Sequence, residues 1–107
     1  MQNISAEELK KRMDSGEKLN IIDVREPYEY AEFHIESKLI PLGKIQTMQI
    51  EEIEDLKDEE VILYCRSGNR SMMACLFLDT LGFKNTKNLA GGMLAWQEKF
   101  GSKPRLS

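Results

Sequence analysis

The sequence predicts an α/β fold whose central sheet is mainly parallel and carries helices on both faces. The first observation behind this prediction is that short β-like runs alternate with helical segments along the chain. The second is that the apolar run over residues 60–65 ends at Cys65, just before a short polar loop and a helical pattern. Sites in such sheets form beyond the carboxyl ends of the strands. Asp23 and Cys65 both fall at predicted carboxyl ends.

The predicted elements are, in chain order, a helix over residues 5–15, a strand over 19–24, a short helix over 27–33, a strand over 39–42, a helix over 48–56, a strand over 60–65, a helix over 71–81, a strand over 86–89 and a helix from residue 91. Ser5 and Glu8 form a capping box for the first helix, and Gly16 ends it. The next run is apolar until Asp23, which is typical of a buried strand.

The later elements depend on equally local signals. Pro27 fits the first turn of a short helix, whereas Pro41 makes its run an edge strand or ends it. The helix over 71–81 has one buried stripe, which consists of Ala74, Phe77, Leu78 and Leu81. Further apolar residues lie beside this stripe, namely Met72, Met73 and Leu76. We therefore expect this helix to be covered on more than one side.

Length and charge limit the classes of function. The chain has 107 residues, which fits one domain over residues 1–107 with a frayed tail over 101–107. The net charge of −3 argues against nucleic acid, because phosphate binding needs a basic face. No run approaches the ~20 apolar residues of a membrane span, and the polar start lacks the apolar stretch of a secretory signal. We therefore expect a cytoplasmic protein that binds neither nucleic acid nor a membrane.

The loop after residue 64 carries the strongest chemical signal, and it consists of Cys65, Arg66, Ser67, Gly68, Asn69, Arg70 and Ser71. Because the loop is short, it must curl back toward the helix, so its backbone N–H groups can point inward and bind an anion. Gly68 permits a backbone angle that a side chain would obstruct. The helix N-terminus and both arginines add positive charge, which favours the thiolate of Cys65, and the thiolate is the nucleophile.

Four segments, in this order, resemble the rhodanese family of single-domain sulfurtransferases, and the resemblance covers nearly the whole chain. They are Asp23-Val24-Arg25-Glu26 with Glu29-Tyr30, His34-Ile35 with Ile40-Pro41-Leu42, the loop from Cys65 to Arg70, and Leu89-Ala90-Gly91-Gly92-Met93 with Ala95-Trp96. The resemblance implies a rhodanese-like α/β fold with about five strands in the sheet.

The resemblance also implies roles for individual residues. Cys65 would take a sulfane sulfur from thiosulfate or a related anionic donor, hold it as a persulfide, and pass it to a small thiol, another thiophilic acceptor or a protein. Backbone N–H groups would surround the persulfide, and they belong to Arg66, Ser67, Gly68, Asn69, Arg70 and Ser71. Arg66 would bind the donor, while Asp23 and Arg25 would sit beside the loop and help to position it. Attack of a thiolate on sulfur needs neither a metal nor a cofactor.

Three alternatives stay open. Phosphatases and arsenate reductases use similar loops, but their Cys-x-x-x-x-x-Arg spacing is one residue longer than the spacing from Cys65 to Arg70. The chain could also be a sulfur-relay carrier whose acceptor is another protein. A third reading is a non-catalytic module of this fold, although such modules usually lack the nucleophile.

Several other conspicuous residues are expected to have structural roles. Cys75 and Trp96 should pack in the core, and His34 should be a loop or packing residue. The acidic segment over residues 51–60 is most simply a solvated face, and docking of a basic partner there has no support in the sequence.

Overall fold

The computed structural model describes residues 1–101, and within them five strands form one sheet. The strands are β1 (Gln2–Ile4), β2 (Ile21–Asp23), β3 (Lys38–Leu39), β4 (Glu60–Tyr64) and β5 (Asn85–Leu89). Their order across the sheet is β1-β5-β4-β2-β3, and every neighbouring pair is parallel. The predicted parallel α/β sheet is confirmed. The predicted frayed tail lies outside the described residues, apart from Gly101.

The connections between the strands are helical. They contain α1 (Ala6–Asp14), α2 (Pro27–Glu32), α3 (Leu42–Gln46), a 3-10 helix (Glu51–Leu56) and α4 (Asn69–Thr80), and α5 (Gly92–Phe100) follows the last strand. The predicted cap of the first helix is present, since the Ser5 hydroxyl accepts a hydrogen bond from the Glu8 N–H at 3.0 Å. None of the helices within residues 1–101 is long and apolar enough to cross a membrane.

Two hydrophobic cores form on opposite faces of the sheet, because successive side chains of a strand point to opposite sides. In β4, Ile62 and Tyr64 pack in the core shared with α1 and α5. Val61, Leu63 and the following Cys65 pack in the core shared with α3 and α4. Helices therefore cover both faces, as predicted. Cys75 and Trp96 are buried in these two cores, so their predicted packing roles are confirmed.

The predictions for three segments were wrong. The strand β1 was not predicted, because its three residues are mostly polar and exposed and show no apolar alternation. The run over 39–42 is strand only to Leu39, and Pro41 instead precedes the first residue of α3. The predicted helix over 48–56 is reduced to the 3-10 helix, since Met48 has a left-handed backbone with φ of 64° that no helix continues through.

The exposed face of α4 is a further correction. The predicted stripe does face the sheet, where Ala74 and Leu78 are fully buried. However, Met72, Met73 and Leu76 are 39 %, 51 % and 49 % exposed, so the helix is covered on one side only. The sequence pattern records that these side chains are apolar, but it does not record whether another layer lies over them. Among residues 1–101, no such layer does.

Candidate active site

Cys65 follows the last residue of β4 and lies at the carboxyl edge of the sheet. Its side chain points to the face covered by α4, and only 1 % of the residue is exposed. The backbone then reverses at Gly68, whose φ of 106° is a left-handed conformation that favours glycine. The first residue of α4 comes directly after this glycine, so the first turn of the helix faces the sulfur.

Three donors of this loop reach the sulfur atom. The N–H of Gly68 lies 3.1 Å from Sγ, and the N–H and hydroxyl of Ser71 each lie 3.4 Å from it. Burial raises the pKa of the Cys65 thiol, but hydrogen bonds from Ser71, Gly68 and Ser67 outweigh burial and lower the pKa below its ordinary value. The loop therefore stabilises a thiolate in a place that water hardly reaches.

The first turn of α5 fixes the beginning of the loop. The N–H of Met93 donates to the carbonyl of Cys65 at 2.8 Å, and the N–H of Leu94 donates to the carbonyl of Arg66 at 3.0 Å. Gly92 makes this approach possible, because a Cβ at that position would lie 2.6 Å from both carbonyl oxygens. The sequence predicts only that a helix begins at residue 91, whereas the structure shows that Gly92 lies directly against the carbonyl groups of Cys65 and Arg66.

The two arginines of the loop have different surroundings. The guanidinium of Arg70 forms a bidentate ion pair with Glu29, at 2.8 and 2.9 Å, and this pair lowers the pKa of Glu29 to about 2. Arg66 is exposed and forms no ion pair with any residue of the described range. Ser67 and Asn69 are exposed as well. Of the two arginines in this loop, Arg66 thus presents the cationic side chain that is free to meet an anion.

Asp23 and Arg25 are buried together on the neighbouring strand end. The Arg25 guanidinium binds the Asp23 carboxylate, with a shortest distance of 2.7 Å, and donates to the carbonyl of Phe33 at 2.7 Å. Its central carbon lies 5.5 Å from the centre of the Tyr64 ring, next to the nucleophile. Within residues 1–101, the hydrogen bonds of this pair connect β2 with the segment at Phe33 and do not reach the Cys65 loop.

Comparison with known proteins assigns this arrangement to a family. The model of the family described as "Rhodanese-like domain" matches residues 5–99. The chain belongs to this family. The resemblance to the rhodanese family noted in the sequence is thus confirmed, and the matched residues include the loop from Cys65 to Arg70.

Rhodanese-like relatives match over most of the chain. A Bacillus subtilis (strain 168) protein named "Putative sulfurtransferase YtwF" is 44% identical over 99 residues, which cover 91% of each chain. A second protein of that strain, "Putative sulfur carrier protein YrkF", is 41% identical over 97 residues, which cover 90% of this chain and 51% of the relative. The crystal structure of a rhodanese-like domain protein from Staphylococcus aureus is 32% identical with a TM-score of 0.80, covering 90% of this chain and 91% of that one.

Asn88 belongs to this rhodanese-like site, and the sequence reasoning missed it. The residue lies on β5, is 3 % exposed, and its amide contacts both the Ser71 hydroxyl and the carbonyl of Gly68. A signal was available, because an asparagine in a predicted buried strand must find hydrogen-bond partners. Only the sheet order, which places β5 beside β4, shows that these partners lie in the nucleophile loop.

Two grooves within residues 1–101 lie away from Cys65. One groove of about 1060 Å³ runs between the end of α1, β2 and β3, and another of about 610 Å³ lies between α1 and α5. None of the residues 65–71 lines either groove. The sulfur lies instead in a close-fitting loop. The hydrogen-bond donors around it, rather than a large cavity, therefore define the candidate site.

Proposed function

We propose that this protein is a thiosulfate-type sulfurtransferase that carries sulfane sulfur on Cys65. The observation that supports the proposal most directly is the surroundings of the sulfur atom, which has three donors of Gly68 and Ser71 within 3.1–3.4 Å. These donors would stabilise both the attacking thiolate and the negative charge of a persulfide. The names of the relatives agree with a sulfurtransferase or a sulfur carrier.

The proposed reaction has two balanced steps. The Cys65 thiolate attacks the outer sulfur of thiosulfate, a sulfur–sulfur bond forms, and the sulfur–sulfur bond of thiosulfate breaks with release of sulfite. The enzyme then holds an anionic persulfide, Cys–S–S⁻. An acceptor such as cyanide or a thiolate attacks the terminal sulfur, which leaves as thiocyanate or a new persulfide and restores the thiolate. The chemistry requires a reduced thiol, which fits the cytoplasmic setting that the sequence predicts.

We propose that Arg66 attracts the donor and that backbone N–H groups hold the transferred sulfur. The Arg66 side chain is exposed beside the nucleophile, whereas Arg70 is bound to Glu29. The N–H groups assigned to the persulfide are those of Arg66, Ser67, Gly68, Asn69, Arg70 and Ser71. Asp23 and Arg25 would support the loop indirectly, through the strand that pairs with β4.

Intact mass after incubation with thiosulfate tests the proposal. We expect the protein to gain one sulfur atom, and we expect Cys65→Ser to gain none. The Cys75→Ser variant is the matched control and should load like the wild type. No mass gain in the wild type, or a gain that persists in Cys65→Ser, contradicts the proposal.

The identity of the donor requires a separate experiment. Sulfur transfer from thiosulfate and from mercaptopyruvate should be compared for the wild type and Arg66→Ala. We expect Arg66→Ala to lose about tenfold with thiosulfate, whose two negative charges the guanidinium attracts, and less with mercaptopyruvate. An equal loss with both donors would remove the charge argument.

A phosphatase or arsenate reductase is the less favoured alternative for the same loop. The N–H groups of Gly68 and Ser71 lie within 3.4 Å of the sulfur, so the short loop closes around one sulfur atom instead of a tetrahedral oxyanion above it. Hydrolysis of p-nitrophenyl phosphate by the pure protein, at a rate above that of sulfur transfer, would reverse this ranking.

A sulfur-relay carrier is the second candidate, and the exposed face of α4 favours it. Met72, Met73 and Leu76 are exposed on this helix, whose first turn holds the sulfur. Apolar side chains beside a nucleophile suit an acceptor protein that covers them. The 41% identical relative is also named as a sulfur carrier.

Two acceptors, cyanide and reduced thioredoxin as a protein dithiol, distinguish the relay from the small-molecule enzyme. If the relay is right, transfer to the protein is the faster reaction, and Met73→Lys slows it by about tenfold without affecting transfer to cyanide. The control is Thr80→Lys, at the far end of the same helix. Equal slowing with both acceptors, or no slowing, would count against a docking role of this face.

A further inference from the structure

Asn88 is joined to the nucleophile loop through both ends of its amide. Its Oδ1 accepts a short hydrogen bond from the Ser71 hydroxyl, and its Nδ2 donates to the carbonyl of Gly68 at 3.2 Å. Ser71 and Gly68 are the residues whose backbone N–H groups reach the sulfur. The amide also donates to Asn3 of β1 at 3.5 Å, so the edge of the sheet orients it. Asn88 thus contacts the loop without contacting Cys65.

The Ser71 hydroxyl has one proton and two acceptors within reach. Asn88 Oδ1 is the nearer acceptor, and Cys65 Sγ lies 3.4 Å away. A hydroxyl donates only one conventional hydrogen bond at a time. When Cys65 is a neutral thiol, its S–H can donate to Ser71 Oγ while the hydroxyl donates to Asn88. When Cys65 is a thiolate, a hydrogen bond from the Ser71 hydroxyl to the sulfur becomes favourable. If the hydroxyl donates to Asn88 instead, the lone pairs of its oxygen face the negative charge of the sulfur.

We propose that Asn88 is a positioning residue that competes with Cys65 for the Ser71 proton and so limits ionisation of the nucleophile. This inference rests on the proposed role of Cys65 as the nucleophile. A thiol that ionises too easily is a weaker nucleophile, because nucleophilicity falls with the pKa of the thiol. The amide would therefore keep the thiolate reactive, while the backbone N–H groups supply the stabilisation that does not depend on Asn88.

The other charged and titratable groups around Cys65 are unchanged by substitution of Asn88. They are Arg66 and Arg70 in the loop, Asp23 and Arg25 on the adjacent strand end, Cys75 on α4, and Glu29, which pairs with Arg70. None of these groups hydrogen-bonds to Asn88 within the described part of the chain. A change that follows substitution of Asn88 can thus be assigned to the Ser71 proton or to the loop geometry.

A double-mutant cycle separates these two causes. The pKa of Cys65 should be measured from the pH dependence of alkylation by iodoacetamide, in a Cys75→Ala background so that one thiol is observed. We expect Asn88→Leu, which removes the acceptor at similar volume, to lower this pKa by about half a unit. In a Ser71→Ala background the same substitution should change nothing. The measurement does not require sulfur transfer, so it stands even if the proposed function fails.

A second variant keeps the test decisive if Asn88→Leu does not fold. Asn88→Asp offers a stronger acceptor and a negative charge at the same place, so it should raise the pKa of Cys65 by about one unit or more. This rise should be smaller when Ser71 is alanine, since only the charge effect then remains. Shifts that are equal with and without the Ser71 hydroxyl, or a raised pKa in Asn88→Leu, would overturn the proposal.

Discussion

The two cysteines of this chain share one core, but their pKa values are shifted in opposite directions. Cys65 and Cys75 are 1 % and 0 % exposed and pack in the same cluster between the sheet and α4. Burial raises the pKa of Cys75 to about 12, with only a small opposing effect of Thr86. Burial also raises the pKa of Cys65, yet hydrogen bonds from Ser71, Gly68 and Ser67 more than reverse it.

The difference indicates that burial alone does not set the pKa of a cysteine in this fold. Both thiols lose water, and desolvation alone disfavours the thiolate. What distinguishes Cys65 is that backbone N–H groups replace the lost water, and that Gly68 and Gly92 let the backbone come close enough to do so. Cys75 lies inside a helix whose own N–H groups are used by the helix, so the same replacement is not available there.

Selective alkylation is the strongest test of this contrast. At pH 8, a thiol with a pKa of about 12 is ionised in roughly one molecule in 10⁴, whereas a thiol with a pKa below its ordinary value is ionised in about a tenth or more. Iodoacetamide should therefore modify Cys65 about 30-fold faster than Cys75 or more, because the lower nucleophilicity of a low-pKa thiolate offsets part of the difference in ionisation. Peptide mapping by mass spectrometry measures both rates in one sample. Comparable labelling of the two sites in folded protein would contradict the comparison.

A methyl group added at Gly92 should disturb the loop around Cys65 and leave the surroundings of Cys75 unchanged. In Gly92→Ala the new Cβ would lie 2.6 Å from two carbonyl oxygens, at a φ of 58°. Overpacking and backbone strain together should lower the free energy of unfolding by about 2–4 kcal/mol and displace the loop. Urea denaturation gives the stability, and iodoacetamide labelling gives the reactivity.

Gly43→Ala is the matched control for that substitution. Gly43 lies in α3, and a Cβ there would meet nothing within 4 Å. Alanine should be neutral or stabilising by up to about 1 kcal/mol, since it favours the helix. If both variants lose the same free energy of unfolding, the close approach of the last helix to the loop is not the cause of the loss in Gly92→Ala.

The Ser71 hydroxyl should account for a smaller part of the pKa difference between Cys65 and Cys75. In Ser71→Ala one donor to Sγ is lost, and we expect the pKa of Cys65 to rise by about one unit. The profile of thiosulfate loading against pH should move to higher pH by the same amount, because the thiolate is the attacking species. Ser67→Ala is the control: this side chain is exposed, and Ser67 acts on the sulfur through its backbone. Equal profiles for Ser71→Ala and wild type would contradict the assignment.

Local features of the sequence predict the course of the backbone around Cys65 and most of the sheet. A strand that ends at Cys65, a glycine three residues later and a helix start are all encoded within about ten residues, so short-range rules are sufficient. The strand order was not predicted in detail, and β1 was missed because it is stable only through its pairing with β5. Pairing between distant segments leaves little trace in a short polar run.

The parts of the site that escaped prediction come from distant segments. Asn88 and Gly92 lie more than twenty residues from Cys65 along the chain, and only the fold brings them to it. The sequence predicts that both loop arginines add positive charge beside Cys65, but the structure places Glu29 of α2 against the Arg70 guanidinium. The type of a residue predicts what it can bind, whereas its free or paired state depends on tertiary contacts.

Removal of the ion pair between Glu29 and Arg70 should have the smallest effect on the difference between Cys65 and Cys75. This ion pair connects the first turn of α4 to α2. The positions of the donors to the Cys65 sulfur depend on that turn. The pKa of Glu29 is about 2 in the folded protein, below about 4.3 in the unfolded chain. A depressed carboxyl pKa contributes stability that is present above the unfolded value and is lost as pH falls through the folded one. Glu29→Gln should therefore cost about 1 kcal/mol at pH 6, since Arg70 is partly exposed, and progressively less as the pH falls toward 2 and below.

Asp58→Asn is the matched control, because Asp58 pairs with Lys84 where both side chains are more than 70 % exposed. Its removal should change the free energy of unfolding by a few tenths of a kcal/mol at most, about the usual value for a surface pair. Urea unfolding of the wild type and both variants at pH 6, 4 and 3 measures the two pairs under the same conditions. A stability loss in Glu29→Gln that does not shrink between pH 6 and pH 3 would show that the ionised carboxylate is not its cause. In that case the loss must come from the capping hydrogen bond that Glu29 accepts from the N–H of Glu26 at the start of α2.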